Sequence, residues 1–158
     1  MAAVLTAAAR RFLERHRVAR LATADAGGQP HVVPITFALS GGAIVFVVDE
    51  KPKRTHGTGL KRMRNILANP CVAFLVDHYD DDWTRLAYAL VLGRAEIIAT
   101  PGRPYSEALA RLRARYPAYR RMTLTPARNP VVRIRPLRIH LWEARAGRQG
   151  GGLRSTDR

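Results

Sequence analysis

What most limits the possible folds is a succession of three short apolar segments near the start of the chain. Residues 18–24, 31–39 and 43–48 each have the length and the β-branched content of a strand. The connections between them, 25–29 and 40–42, are short and contain glycines, which tolerate the positive φ of tight turns. Strands joined this closely predict an antiparallel meander.

The rest of the chain adds three strands and three helices to this prediction. Further strands are expected over residues 71–77, 84–99 and 131–142. Gly93 indicates a bulge or sharp bend in the second of these, and Pro136 a break in the last. Helices are expected over 3–16, 60–68 and 104–115, with an irregular stretch over 116–129. Strands and helices do not alternate as in a doubly wound parallel sheet, so we expect a mainly β (α+β) fold, an antiparallel six-stranded barrel with peripheral helices.

The chain length and its single cysteine limit the organisation. The 158 residues fit one domain over 1–144, followed by a glycine-rich, basic tail over 145–158 that we expect to be disordered. Cys71 excludes an internal disulfide, and its apolar surroundings predict an inert core thiol. The first residues are typical of an amphipathic helix and not of a signal peptide, which favours a cytoplasmic protein.

The net charge of +15, from 27 basic and 12 acidic residues, indicates an anionic partner or ligand. Its arginines are spread along the chain, so the total charge does not say which anion is bound. A nucleic-acid binder is one alternative. Against it, the sequence has no helix-turn-helix, no zinc-finger spacing and no aromatic ribonucleoprotein motif.

A basic segment over residues 51–64 is the clearest candidate binding site. It follows a strand, contains two glycines and leads into a helix, where backbone N–H groups are available to a phosphate. Two of its basic residues fall in the first helical turn, where they oppose the helix dipole unless an anion is near. The segment predicts a phosphate site, and the alternative is a solvated basic loop. The residues concerned are Lys51, Lys53, Arg54, Lys61 and Arg62.

The strand over residues 31–37 is a second candidate. It begins at His31 and interleaves small and polar groups with apolar ones, so its backbone could lie beside a planar ring. Pro34 cannot donate to a ladder and marks an edge, a bulge or a place where a ligand meets the backbone. Taken alone, the pattern also fits an ordinary half-buried strand.

Two aromatic positions lie outside these segments. Trp83 and Arg85 follow an acidic run, 80–82, that lacks the glycine and glutamate of a calcium loop. An aromatic side chain and an arginine near a loop often cover a ligand. Trp142 ends the last strand, where core or interface packing is the alternative to a binding role. The five histidines have no metal-ligand spacing and no hydrolase signature is present, so a bound cofactor would carry any chemistry.

The order and spacing of these segments resemble the pyridoxamine phosphate oxidase-like split barrels. The resemblance lies in residues 17–37, 49–53, the helix that ends at Asn69-Pro70, and 91–97. It implies an FMN-binding split-barrel fold in which the strand at 31–37 lies against the ring and the basic segment binds the phosphate. By that resemblance the ring wall consists of His31, Val33, Pro34, Ile35 and Thr36.

The segment 133–143 is similar to the actinobacterial branch of this family that uses coenzyme F420, a deazaflavin with a phosphodiester and polyglutamate tail. That similarity implies an oxidoreductase that transfers a hydride between the reduced deazaflavin and a small organic substrate. FMN is the alternative cofactor, and a non-catalytic flavin- or haem-binding protein is the alternative function. The chain is shorter than the true pyridoxamine phosphate oxidases and lacks their C-terminal substrate pattern, so oxidation of pyridoxine phosphate is not expected.

The resemblance also implies a homodimer with the cofactor sites at the subunit interface. In that arrangement Trp83 and Arg85 reach the cofactor of the partner subunit, and Trp142 lines the site.

Overall fold

The computed structural model describes residues 3–49 and 59–144. The tail predicted over 145–158 lies outside the described residues, as do Lys51, Lys53 and Arg54. The strands are β1 (Val18–Ala24), β2 (Pro30–Thr36), β3 (Ala38–Ser40), β4 (Ala43–Val47), β5 (Cys71–His78), β6 (Ala87–Ile98) and β7 (Val131–Glu143). The helices are α1 (Ala7–Arg15), α2 (Lys61–Ala68), α3 (Arg103–Arg115) and α4 (Pro117–Arg120).

The described strands form one antiparallel sheet whose two edges meet. Its seven strands lie in the order β2-β1-β5-β6-β7-β4-β3. The edge strands β2 and β3 are separated in sequence by Phe37 alone, and one residue spans less than about 4 Å. The sheet must therefore curl until the end of β2 meets the start of β3. This confirms the split-barrel prediction, with seven strands where six were expected, because the segment predicted as one strand over 31–39 divides at Phe37.

The barrel interior and a second cluster outside it form the core. On β4 all five residues are buried. Ile44 and Phe46 face the interior, whereas Val45 and Val47 belong to a separate cluster with α3. A strand covered on both faces reads as a continuous apolar run, which is what residues 43–48 present.

Helix α2 closes the barrel near the end of β1. Its side chains Met63 and Ile66 are buried in the interior cluster, and α3 covers β3 and β4 from outside. No helix in the described ranges is both long and apolar enough to span a bilayer.

Three local predictions were wrong. The strand expected from residue 84 begins at Ala87, because Asp82 accepts a hydrogen bond from the backbone N–H of Thr84 and starts a 3-10 turn over Trp83–Arg85. The stretch expected to be irregular contains α4. Strand β7 is not broken at Pro136 but continues to Glu143.

The irregularity in β7 falls opposite Gly93, where a bulge or bend was predicted. Leu92 pairs with Arg138 and Gly93 with Pro136, which leaves one extra residue on β7. A Cβ at Gly93 would lie 2.6 Å from the carbonyl oxygen of Arg135, so this close approach of the strands requires glycine.

Cys71 is not the buried core thiol that the sequence predicts. It is exposed at the first position of β5. Alternate residues of a strand face opposite sides of the sheet, and on β5 the inward positions are taken by Val72, Phe74 and Val76.

Candidate functional site

A polar pocket opens where the two edges of the sheet meet, and we call it the seam pocket. It has a volume of about 190 Å³ and is bounded by the end of β2, the end of β4 and the start of α2. Its lining residues are Pro34, Ile35, Thr36, Phe46, Val47, Asp49 and Arg62.

A chain of hydroxyl groups leads from β2 to the buried carboxyl group of Asp49. Tyr119 Oη lies 2.6 Å from Thr36 Oγ1 and 3.1 Å from Asp49 Oδ2. Burial raises the pKa of the Tyr119 hydroxyl, and the charge of Asp49 adds to the effect. Tyr119 therefore stays protonated and donates its one proton to the Asp49 carboxylate, so the Thr36 hydroxyl is the donor to Tyr119. Asp49 itself is only 6% exposed.

Arg62 is the cation of the seam pocket. Its side chain is half-buried, and its Nε atom is buried without a hydrogen-bond partner among the described residues. Burial lowers the pKa of Arg62, while the negative charge of Asp49 opposes that change. A guanidinium remains protonated in proteins, and a buried donor without an acceptor is costly. Arg62 is thus suited to an acceptor from outside the described part of the chain.

The start of α2 is held against the first two strands by polar contacts. Lys61 Nζ lies 3.0 Å from Asp25 Oδ2 in the turn between β1 and β2. Asn65, almost fully buried, donates from Nδ2 to Thr23 Oγ1 at 3.0 Å. The buried Asn65–Thr23 contact and the partly exposed ion pair together hold the helix turn that carries Arg62 against β1 and the turn after it.

The structure brings four of the predicted site residues into one pocket: Pro34, Ile35, Thr36 and Arg62. His31 and Val33 lie further back on β2 and alternate with exposed residues. The Nδ1 atom of His31 is also buried without a partner among the described residues. Because side chains alternate along a strand, residues 31–36 do not present a single side-chain wall.

The seam pocket does not include the predicted residues Trp83, Arg85 and Trp142. Arg85 lies 3.6 Å from Asp80 in an ion pair, and Trp83 is 72% exposed. Trp142 stacks on Tyr88, with ring centroids 5.7 Å apart, on the outer face of the sheet. Their predicted role at a partner's cofactor stays a prediction.

Sequence reasoning did not single out Asp49 or Tyr119. Asp49 is at the edge of the basic segment, where its single negative charge is inconspicuous. Tyr119 lies 70 residues further on, in a stretch expected to be irregular. Nothing in one sequence links two positions so far apart, since the curl of the sheet creates their contact.

A comparison with known protein families identifies the family of the chain. A family model described as pyridoxamine 5'-phosphate oxidase matches residues 5–143. The chain belongs to the pyridoxamine 5'-phosphate oxidase family. Membership of this family confirms the resemblance found in the sequence. A comparison with curated proteins gave no match.

Solved structures of similar fold include proteins of different described functions. The conserved hypothetical protein Rv2991 from Mycobacterium tuberculosis has a TM-score of 0.72 and 23% identity, over 96% of this chain and 94% of that one. HutZ, a haem storage protein from Vibrio cholerae, has a TM-score of 0.66 and 16% identity, over 89% and 95%. A protein described as F420 reductase has a TM-score of 0.58 and 28% identity, over 83% and 94%. The first two likenesses concern the fold.

Proposed function

We propose that the protein is an F420-dependent oxidoreductase that transfers a hydride between the reduced deazaflavin and a small organic substrate. The observation that carries this proposal is Arg62, a half-buried cation in the seam pocket with an unpartnered Nε among the described residues. It follows the basic residues Lys51, Lys53 and Arg54 in the chain. Similarity to the F420 reductase supports the choice of deazaflavin over FMN. The cytoplasm is the proposed compartment.

The described residues fit part of such a cofactor. Arg62 would donate to an anionic oxygen, since charge-assisted hydrogen bonds to phosphate are about twice as strong as neutral ones. Pro34 would present a backbone without an N–H group to the side of the ring. The bound deazaflavin would supply the hydride. Protein residues would orient the ring and exclude water from it.

Asp49 and Tyr119 would position this site without reacting. Tyr119 donates a hydrogen bond to the Asp49 carboxylate, and the negative charge of Asp49 favours the protonated form of Arg62. The tyrosine hydroxyl thereby fixes the end of the segment that leads from β4 to the basic residues. Its raised pKa keeps the donated proton in place across the physiological range.

A second copy of the chain would complete the site. The seam pocket, about 190 Å³, is smaller than the ~300–1,000 Å³ of most small-molecule sites. The outer face of the sheet offers a surface for pairing. Strand register places Val32, Ala22, Ala73 and Leu92 side by side on four adjacent strands. Val32 is 60% and Leu92 40% exposed, and contiguous exposed apolar surface of this kind marks interaction sites.

Cofactor titration tests the function. We expect F420 to bind at micromolar concentration, and the change in its fluorescence measures this binding. FMN and haem should bind more weakly. Arg62→Gln should weaken F420 binding about tenfold, the effect of ~1.4 kcal/mol, whereas Arg64→Gln, an exposed position on the same helix, should not. Equal affinities in the two variants would remove Arg62 from the site.

A turnover assay with reduced F420 and quinone or enone acceptors separates an enzyme from a binding protein. If only FMN bound, the proposed choice of F420 would be wrong, but the fold assignment would be unaffected. Binding of haem alone, seen as a Soret band, would favour the non-catalytic alternative.

The proposed dimer is tested by its molar mass in solution. Sedimentation or light scattering should give twice the 17.6 kDa of one chain. Leu92→Arg should produce a monomer, because it places a charge on the paired face. Leu67→Arg, at a side chain 66% exposed on α2, is the matched control and should remain a dimer. A monomeric wild-type protein would overturn the pairing.

A further inference from the structure

A second and larger cavity lies apart from the seam pocket. It has a volume of about 520 Å³ and shares no lining residue with the seam pocket. It lies between the first turn of α3, the turn from β3 to β4, the middle of β7 and residues 3–5. We call it the α3 pocket. Its volume falls within the ~300–1,000 Å³ typical of small-molecule sites.

The floor of the α3 pocket is apolar. Ala43 and Val45 of β4 line it from the sheet, Ala108 from α3, and Pro136 from β7. All four are buried. The two alanines have side chains of a single methyl group, which leaves space between the helix and the sheet. Such a floor would accept a hydrocarbon chain or ring, because burying apolar surface contributes roughly 25 cal/mol per Å².

The rim of the pocket is basic. Arg133 and Arg135, on alternate positions of β7, both donate to the carboxylate of Glu96, the second of them at 3.2 Å. One carboxylate balances one of these two charges, so the pair keeps a positive charge in excess. Arg133 makes this contact through Nε, so its terminal amino groups are not used in it. Arg10 adds a third guanidinium to the lining, although it lies 3.9 Å from the carboxylate of Glu14 in an ion pair.

The one carboxylate of the lining does not cancel this charge. Glu107, in the second turn of α3, accepts from Arg103 Nε at 2.6 Å. Its charge is therefore balanced on the solvent side of the helix. The pocket combines an apolar floor with guanidinium groups at one end, which is the complement of an amphipathic anion.

We propose that the α3 pocket binds an amphipathic monocarboxylate, with its apolar part on the floor and its carboxylate at Arg133 and Arg135. A guanidinium pair suits a carboxylate, since the planar fork offers two parallel hydrogen bonds. This site is separate from the cofactor proposed for the seam pocket, and its occupation does not require that cofactor.

The test uses the full chain and sodium decanoate, below its micelle concentration, in an NMR titration of backbone amides. We expect shifts at Gly41, Gly42 and Ala108 around the α3 pocket, and none at Ile35 and Thr36 around the seam pocket. Decanol, of the same chain length without the charge, should bind about tenfold more weakly. Shifts confined to the seam pocket, or none, would overturn the proposal.

Two variants test the two parts of the pocket. Arg135→Gln should weaken decanoate binding about tenfold while leaving Glu96 paired with Arg133. Ala108→Leu should fill the floor and weaken decanoate and decanol alike. Arg111→Gln removes an exposed charge from the same helix and should leave the affinity unchanged. If Arg135→Gln and Arg111→Gln changed the affinity for decanoate equally, the proposed contact between its carboxylate and Arg135 would be wrong. This comparison holds even if Ala108→Leu fails to fold.

Discussion

The hydroxyl groups of Tyr119 and Thr36 lie 2.6 Å apart although 83 residues separate them in the sequence. This contact binds α4 to the last residue of β2, at the edge where the barrel is split. Tyr119 also reaches Asp49 at the end of β4. One side chain thus links the edge strand β2 to the segment that follows β4, and both of its partners line the seam pocket.

Removing the Tyr119 hydroxyl should destabilise the fold. In Tyr119→Phe the buried Asp49 carboxylate loses a donor and Thr36 loses an acceptor, at a cost of about 1–3 kcal/mol in the free energy of unfolding. Urea denaturation measures this change. Tyr79→Phe, at a side chain 70% exposed, is the control and should stay within about 0.5 kcal/mol. If the two variants were equally stable, the hydroxyl chain would contribute nothing.

The ion pair between Asp25 and Lys61 predicts a pH dependence. The hydrogen bond from Lys61 lowers the pKa of Asp25, and the backbone N–H groups of Gln29 and Gly27 lower it further. A carboxyl group with a lowered folded-state pKa stabilises the fold above its unfolded pKa of about 4. That contribution is lost as the pH falls through the folded-state value.

Lys61→Met should therefore raise the pKa of Asp25 but not to its ordinary value, since the backbone donors remain. Carboxyl NMR titration measures the shift. The pKa of Asp82, lowered mainly by the Thr84 hydroxyl, should stay the same in this variant and serves as an internal control. An unchanged pKa of Asp25 would mean that its ion pair with Lys61 does not persist in solution.

The sequence predicted the strands better than the way they close. Segment length, β-branched content and glycine turns identified six segments. The lack of strand-helix alternation predicted an antiparallel barrel, and family resemblance implied that this barrel is split. The division at Phe37 was missed because residues 31–39 continue one apolar pattern across it. Fully buried Phe37 is where the chain passes from one sheet edge to the other, and only tertiary structure marks that passage.

For the site, sequence reasoning succeeded where chemistry is local. Arg62 was found because a basic residue in a first helical turn opposes the dipole, and Pro34 because it lacks a donor. Asp49 and Tyr119 were missed because their meaning depends on a contact across the seam. Cys71 was misplaced, since its apolar neighbours do not reveal which side of the strand it faces.

The close approach of β6 and β7 predicts that Gly93 cannot be replaced. In Gly93→Ala the new methyl group would lie 2.6 Å from the Arg135 carbonyl oxygen and 2.8 Å from Ile134 Cγ2. Overpacking of this kind costs about 1–3 kcal/mol. Gly27→Ala is the matched control: its nearest neighbour would be Asp25 Oδ1, at 3.4 Å. The midpoint of thermal unfolding should be lower for Gly93→Ala than for Gly27→Ala. Equal midpoints would contradict the close approach of β6 and β7 at Gly93.

Arg115 joins the C-terminal ends of α1 and α3. Its Nη2 atom donates to the carbonyl oxygens of Leu13, in the last turn of α1, and of His16, the first residue after the helix. Its guanidinium carbon lies 5.0 Å from the centroid of the Phe37 ring. The positive charge at this helix end also suits the dipole.

Arg115→Ala should therefore lower the free energy of unfolding by about 1.5–3 kcal/mol, the range for hydrogen bonds to charged groups. Arg115→Lys should recover part of this loss, because an ammonium keeps the charge but not the planar fork. Arg111→Ala, on the exposed side of the same helix, is the control. Hydrogen exchange should speed up over α1 in Arg115→Ala alone. An equal change in the Arg111 variant would show that the loss of charge, and not the contact with α1, sets the effect.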